Sequence, residues 1–362
     1  MATAHVLVFP APAQGHLNCF LHFATALLRA GLHVTFLHTH HNLRRLGAAA
    51  AAAAAAAISP RLRFLSVPDG LPDDDPRRVD GLPELMEGLR TTGSAAYRAL
   101  LASLVELGMP AIAFRTVSAS AVLAYLSVPS LIELGELPFP GRGGDDGLDE
   151  RVRGVPGMES FLRRRDLPIQ CRHLAATTTH GDPLLTSVVA ATAHSRNARA
   201  LLNTAISLEH PALTHLARHM RDLNKPLNTD MAGNNHDDAL LRQALLDVAG
   251  AGACVVPWAP QRDVLRHRAV GCFLTHSGWN STAEGVAEGV PMVCWPFFAD
   301  QQINSRLVGA VWGNRVDMKD ACERGVVERS VKEAMESGEI RRSARRLAEQ
   351  VKRDTGDGVT NK

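Results

Sequence analysis

The sequence predicts an α/β fold of two Rossmann-like domains, each built on a parallel sheet. Nonpolar, strand-like runs alternate with helix-like segments in both halves of the chain. At 362 residues the chain is long for a single hydrophobic core. A polar stretch rich in Asn and Asp, residues 223–238, lies between the halves. We therefore expect domains at 1–222 and 239–362 joined by this linker, with the last helix packing back on the first domain.

The N-terminal half begins with a strand, a loop, a helix and a second strand. Residues 5–9 and 33–38 are nonpolar runs, and 17–30 has helical periodicity that stops at Gly31, a residue typical of helix ends. This order predicts a parallel sheet with a binding site at the ends of its strands. Further elements are expected as helices at 95–107 and 211–220 and strands at 110–114 and 198–203.

The C-terminal half shows the same alternation, which again favours a parallel sheet. Helices are expected at 239–248 and 280–288, and strands at 253–256, 271–275 and 292–295. Residues 70–80 and 141–147 have the composition of exposed loops, and no structure is predicted for the alanine run at 48–57.

Composition argues against several classes of protein. The net charge of +2 gives no sign of a nucleic-acid or membrane partner, and the 16 histidines lack metal-ligand spacing. The six cysteines form no CxxC pair, the first residues lack the basic region of a signal peptide, and the nonpolar run at 119–132 is too short to span a bilayer. We expect a cytoplasmic, monomeric protein without a metal or cofactor.

Residues 258–301 carry the strongest functional signal. A nonpolar run leads into Gly278, Asn280 and Ser281 at a predicted helix start, where free N–H groups would bind a diphosphate. Glu284, on the same helix face as Asn280, would accept from ribose hydroxyls, and Trp258 would stack on a base. Singly, each residue has an ordinary role in packing, capping or solvation. Their joint order instead indicates a nucleotide-sugar site, with Asp300 and Gln301 reading the sugar.

This segment resembles the signature box of plant family 1 UDP-glycosyltransferases, which have the two-domain GT-B fold. The segment matches the length of the box and nearly all its fixed positions, and the resemblance extends over most of the chain. It implies that Trp258 stacks on uracil, that Ala259 and Gln261 lie near the nucleoside, and that Glu284 holds the ribose. It assigns the diphosphate to His276, Gly278, Asn280 and Ser281, and the sugar to Trp279, Asp300 and Gln301. In this family a glutamine at the last position of the box, here Gln301, is typical of enzymes that use glucose donors. UDP-glucose is therefore the expected donor substrate.

The loop that ends at His16 is similar to the one that holds the catalytic base in this family. The histidine would take a proton from an acceptor hydroxyl, whose oxygen attacks the anomeric carbon with inversion. Its place at a predicted helix N-terminus favours the neutral imidazole. The simpler interpretation is that His16 only caps the helix.

The chain departs from the family pattern at two places. Relatives have an aspartate that orients the histidine, but no Asp occurs between Gly81 and Gly144. We interpret this as a deletion near Val105 and Glu106 that removes a strand, the Asp loop and most of a helix. A second gap removes a strand between Asp222 and Ala253. The chain is therefore expected to be an internally shortened relative.

The leading hypothesis is an inverting glucosyltransferase for small hydrophobic acceptors such as flavonoids or terpenoids. A catalytically impaired or dead UDP-sugar-binding remnant is the main alternative, because the aspartate and a strand are missing. A dinucleotide-dependent oxidoreductase is the third, since Gly250 and Gly252 form a G-x-G near a predicted strand. The acceptor and its modified position are not predicted.

Overall fold

The computed structural model describes residues 4–12, 14–47, 57–75, 77, 81–97, 99, 112–139, 147–173, 183–193, 199–220, 223–224, 254, 256, 259–318 and 322–356. The strands are β1 His5–Val8, β2 His33–Thr39, β3 Leu62–Val67, β4 Ile112–Arg115, β5 Arg199–Leu202, β6 Leu223–Asn224, β7 Phe273–Thr275, β8 Met292–Cys294 and β9 Arg315–Asp317. The helices are α1 Gln14–Arg29, α2 His40–Leu46, α3 Leu82–Gly88, α4 Ala119–Glu133, α5 Pro183–Ala193, α6 Ile206–Leu216, α7 Gln261–Arg266, α8 Trp279–Ala287, α9 Gln301–Arg306, α10 Arg324–Glu336 and α11 Gly338–Gly356.

The strands form three sheets of three strands each, in the orders β1-β2-β3, β4-β5-β6 and β7-β8-β9. Every neighbouring pair in these sheets is parallel. Parallel neighbours require crossover connections, and helices supply them in both halves of the chain. The predicted α/β class with parallel sheets is therefore confirmed. The short strand β6 pairs with β5 inside the stretch predicted as a linker.

The first sheet forms a small core with the helix that follows β1. Val34 and Phe36 of β2 are fully buried against Ala24 and Leu28 of α1. The helix begins three residues earlier than predicted, at Gln14, and Gly31 follows its end with a φ of +88°. That backbone angle is one that side chains with a Cβ rarely adopt, which explains the glycine that ends the predicted periodicity.

The main hydrophobic core joins the two halves of the chain. Helix α4 is buried at every position from Ala119 to Val128, and its cluster extends to the C-terminal half. Two buried indoles connect the halves: Trp279 Nε1 donates to the Asn203 carbonyl at 2.5 Å, and Trp312 Nε1 donates to the Leu208 carbonyl at 3.1 Å. Helix α11 contacts both α6 and α8. The largest core cluster of the described residues is therefore shared by both halves, while a smaller cluster lies within each half.

A buried carboxylate caps helix α4. Glu209 is 1% exposed and accepts hydrogen bonds from the backbone N–H groups of Ala119 at 2.9 Å and Ser120 at 2.8 Å, and from Thr204 Oγ1 at 2.7 Å. Its own backbone interrupts α6 with a non-helical φ of −133°. A negative charge at a helix N-terminus satisfies N–H groups that have no intrahelical partner. Burial nevertheless raises the pKa of this carboxyl.

Several predicted elements lie wholly or mostly outside the described residues: the alanine run at 48–57, the helices at 95–107 and 239–248, the loop at 141–147 and the strand at 253–256. Within the described part of the chain, no helix combines the length and nonpolar character needed to cross a membrane.

Candidate active site

A cavity of about 770 Å³ lies where the two halves meet. Its walls come from the end of β1, the start of α1 and the end of β4 on one side, and from α8 and the loop before α9 on the other. All but one of the predicted site residues line it: His16, Ala259, Gln261, His276, Gly278, Trp279, Asn280, Ser281, Glu284, Asp300 and Gln301. The exception, Trp258, lies outside the described residues.

The N-terminus of α8 opens into this cavity. Its N-cap is Gly278, without a side-chain cap, and the helix begins at Trp279. The helix therefore begins one residue before the predicted start at 280, and the extended backbone of Gly278, rather than Asn280 or Ser281, forms its N-cap. Both residues lie in the first turn, where N–H groups have no intrahelical acceptor. A Cβ at Gly278 would collide with the His276 imidazole, so glycine is required for this close approach.

Asn280 connects the helix to the opposite wall of the cavity. Its Nδ2 donates to the Gly15 carbonyl at 2.6 Å, one residue before His16. The side chain expected at the diphosphate therefore also contacts the loop that holds the expected base.

Glu284, on the next turn of α8, is paired with Gln261, the first residue of α7. Gln261 Nε2 donates to Glu284 Oε2 at 2.7 Å and to Ser281 Oγ at 3.2 Å. Burial of Glu284, which is 1% exposed, raises its pKa from 4.5 to about 7. A carboxyl with this pKa can exchange its proton near neutral pH and accept from a pair of ligand hydroxyls.

This raised pKa predicts a specific pH dependence of stability. The folded chain keeps a proton on Glu284 between pH 4.5 and about 7 that the unfolded chain releases, so stability falls as pH rises through that window. At 1.36 kcal/mol per pKa unit the loss is on the order of 1–3 kcal/mol. Thermal melts should show that Glu284→Gln gains stability over the native chain at pH 8 but not at pH 4.5. An equal gain at both pH values would contradict this assignment.

Asp300 is the N-cap of α9 and Gln301 is its first residue, after the loop that follows β8. The Gln301 Oε1 atom accepts from the backbone N–H groups of Phe297 and Phe298, both at 2.8 Å. This fixes the orientation of the amide, and no hydrogen bond of the described residues uses its Nε2 group. Burial raises the pKa of Asp300 to about 6, and its Oδ2 accepts from Asn304 Nδ2 at 2.7 Å. The two side chains therefore present a carboxyl and an amide donor to one end of the cavity.

Trp279 lines the cavity, but its indole ring is buried. The residue is 3% exposed, and its ring N–H is donated to Asn203. A ligand contact from this position would therefore come from its main chain, not from its indole N–H.

Asn304 is a buried residue that supports the site through Asp300, and the sequence analysis did not single it out. It is fully buried, and besides Asp300 it donates to the Ser277 carbonyl at 3.0 Å and accepts from Ser118 Oγ at 2.7 Å. It holds Asp300 and joins the N-cap of α4 to the loop before α8. The signal in the sequence was its spacing of four residues from Asp300, which places both on one helical face.

His16 lies in the first turn of α1, and its Nδ1 contacts Thr116 Oγ1. Its pKa is lowered to about 4, mainly by burial and then by the charge of Arg115. The predicted neutral imidazole agrees with this, but the causes are burial and Arg115 rather than the helix N-terminus. The Nε2 atom remains for a ligand in the cavity.

The partner of His16 is a hydroxyl, where the resemblance implies an aspartate. Strand β4 confirms the strand predicted at 110–114, and Thr116 follows it directly. The inferred deletion near Val105 and Glu106 lies outside the described residues and stays a prediction. The sequence analysis considered only acids as partners of the histidine, so it did not single out Thr116.

Arg115 was also missed. It lines the cavity beside Thr116 and its Nη2 donates to Thr192 Oγ1 at 2.8 Å. None of the ion pairs among the described residues includes Arg115. A guanidinium stays protonated in proteins, so this end of the cavity carries a positive charge.

A protein-family model and two sequence relatives match this chain. The family model described as "UDP-glucoronosyl and UDP-glucosyl transferase" matches residues 241–354. The myricetin 3-O-rhamnoside 1,2-glucosyltransferase of Crocosmia x crocosmiiflora is 35% identical, over 99% of this chain and 93% of the relative. The 7-deoxyloganetic acid glucosyltransferase of Catharanthus roseus is 32% identical, over 98% of this chain and 94% of the relative.

A solved structure supports the fold. The UDP-glucose:anthocyanidin 3-O-glucosyltransferase, crystallised with UDP, superposes with a TM-score of 0.73 at 18% identity, over 99% of this chain and 95% of that one. The alignment with the Crocosmia relative spans 449 positions, whereas this chain has 362 residues. The relative therefore contains internal segments that this chain lacks.

Proposed function

The chain belongs to the family of UDP-glucuronosyl and UDP-glucosyl transferases, and from this premise we propose that it transfers glucose from UDP-glucose to an oxygen of a small hydrophobic acceptor, inverting the anomeric carbon. One observation carries the proposal: a single cavity contains His16 together with Gln261, Glu284 and Gln301. The expected base and the expected donor-binding side chains thus face one space.

The fold is GT-B, as the likeness to solved glucosyltransferases shows. We propose that residues 1–222 bind the acceptor and 239–362 bind the UDP-sugar. This division is supported by the positions of the sheets: β1 to β5 precede residue 223 and β7 to β9 follow residue 239. The cavity between them has a nonpolar wall contributed by the first half: Phe9, Phe20, Leu85, Leu89, Phe114, Leu184, Leu185 and Val188.

The donor would lie along α8. Its diphosphate would accept from the free N–H groups of the first turn, beside His276. Glu284 would bind the ribose hydroxyls, and Trp258 with Ala259 would hold the uracil. Asp300 and the Gln301 amide would bind glucose hydroxyls. The donor is a substrate, and no resident cofactor enters this scheme.

For a hydroxyl acceptor, such as a hydroxylated flavonoid or terpenoid, neutral His16 would take the proton at Nε2. The acceptor oxygen then bonds to the anomeric carbon as the bond from that carbon to the diphosphate breaks, and UDP leaves. The helix N-terminus stabilises the charge on the leaving group.

The test is a thermal melt of the purified chain with and without UDP-glucose, combined with an assay of UDP release. Donor at 100 times its Kd should stabilise the folded state by about 2.7 kcal/mol. Gly278→Val is the control, because the added side chain meets His276 and should remove the shift. A shift without transfer to any acceptor would support the alternative, a UDP-sugar-binding remnant. No shift in a cooperatively folded chain would contradict the proposal.

Because the chain belongs to this family, we discard the oxidoreductase hypothesis. The two glycines on which it rested, Gly250 and Gly252, lie outside the described residues. Cytoplasmic location and a monomeric state stay predictions from the sequence.

A further inference from the structure

The surroundings of His16 differ from what a general base for alcohols requires. When a base removes a hydroxyl proton it becomes an imidazolium, which a nearby carboxylate stabilises. Here Nδ1 contacts the neutral Thr116 hydroxyl, and the neighbouring charge is the guanidinium of Arg115. A second positive charge beside the first is unfavourable, so this site resists the protonation that an alcohol acceptor demands.

The same groups suit an anion. The Thr116 hydroxyl can accept from Nδ1 or donate to it. When it donates, the neutral imidazole carries its proton on Nε2 and becomes a donor toward the cavity. Arg115 has five N–H donors, and the hydrogen bonds among the described residues use one of them, toward Thr192. Two donors of different residues therefore face one end of the cavity, and a guanidinium binds a carboxylate in a fork geometry.

We propose that the acceptor is a nonpolar carboxylic acid, held by Arg115 and His16, and that its carboxylate is the attacking group. This narrows the acceptor class of the proposed function and rests on it. The nonpolar wall formed by Phe9, Phe20 and Phe114 fits the hydrocarbon or aromatic part of such an acid.

The reaction balances without a base. A carboxylate oxygen forms a bond to the anomeric carbon of UDP-glucose while the bond from that carbon to the diphosphate oxygen breaks. The products are a glucose ester and UDP, and no proton is transferred. Because the attacking oxygen is already anionic, His16 orients it as a donor and does not need to change its protonation state.

The experiment uses 4-hydroxycinnamate, which has a carboxylate and a phenol in one molecule. The two products differ in stability, since mild alkali releases glucose from the ester but not from the phenolic glucoside. The expected result at pH 7.5 is an ester excess of at least tenfold. A phenolic glucoside as the main product overturns the proposal. The methyl ester of the same acid, which lacks the charge, should show at least a tenfold higher KM.

Two variants of equal size separate charge from bulk. Thr116→Asp places a carboxylate beside His16 and Arg115, and should lower the ratio of ester to phenolic glucoside at least tenfold. Thr116→Asn adds the same bulk without the charge, so an equal fall in both variants overturns the electrostatic argument. Melting curves with UDP-glucose identify any variant that fails to fold.

Failure of this inference is distinct from failure of the proposed function. If UDP-glucose shifts the melting temperature and only phenols are glucosylated, the acceptor class is wrong but the glucosyltransferase stands. If neither product forms and the donor causes no shift, the proposed function itself fails, and with it the inference.

Discussion

Replacing His16 with alanine is expected to lower turnover of a phenolic acceptor at least about a hundredfold, the range in which general bases contribute. His16 lines the cavity opposite α8, along which we propose that the donor lies, and its Nε2 can accept a proton when Nδ1 donates to Thr116. The measurement is kcat and KM with saturating UDP-glucose. The donor-induced rise in melting temperature should persist, because His16 belongs to the opposite wall from the nucleotide.

His40→Ala is the matched control. This histidine begins α2, is exposed and pairs with Ser66 at 2.9 Å, away from the cavity. Its replacement should leave turnover within about twofold, as expected for surface sites. Phenol turnover that survives in His16→Ala would mean that the histidine only caps the helix, which is the simpler interpretation of its position.

The largest effect on stability is expected from Glu209→Ala. The substitution leaves the N–H groups of Ala119 and Ser120 and the Thr204 hydroxyl without their acceptor inside the core. Unpaired buried polar groups cost about 1–3 kcal/mol each, so a total loss of about 3–5 kcal/mol is a conservative expectation. Native stability is only about 5–15 kcal/mol, so much of it would be lost. Urea unfolding followed by circular dichroism measures this loss.

Two other substitutions serve as controls for the Glu209→Ala variant. Glu209→Gln retains one acceptor oxygen and should lose less than the alanine variant. Glu133→Ala removes an exposed carboxylate from the end of the same helix and should change stability by no more than about 0.5 kcal/mol. If Glu209→Ala and Glu133→Ala unfold at the same urea concentration, the carboxylate does not support α4.

Local patterns in the sequence were sufficient for the fold class and for about half of the described helices and strands. The helix at α1, its glycine stop and the strands β1, β2, β7 and β8 follow from periodicity and residue type, which act over a few residues. The helix start at Gly278 was placed late because Asn and Ser are favoured caps, whereas here the backbone of a glycine makes that turn.

The pairs that define the cavity needed three-dimensional information. Thr116 and His16 are 100 residues apart, and Asn280 and Gly15 are 265 apart. No local pattern encodes such a pair, and only the resemblance to a family suggested where a partner for the histidine should lie. The resemblance implies an acid beside the histidine. This chain instead has the Thr116 hydroxyl and the Arg115 guanidinium there, and the resemblance gives no indication of either.

The indoles of Trp279 and Trp312 make the protein its own optical reporter. Of its four tryptophans, these two lie buried at the seam between the halves, Trp295 is 42% exposed, and Trp258 is outside the described residues. Separation of the halves would transfer both seam indoles from a nonpolar environment to water and shift their fluorescence to longer wavelength. Intrinsic emission therefore follows the docking of one half on the other, whereas far-ultraviolet dichroism follows the helices within each.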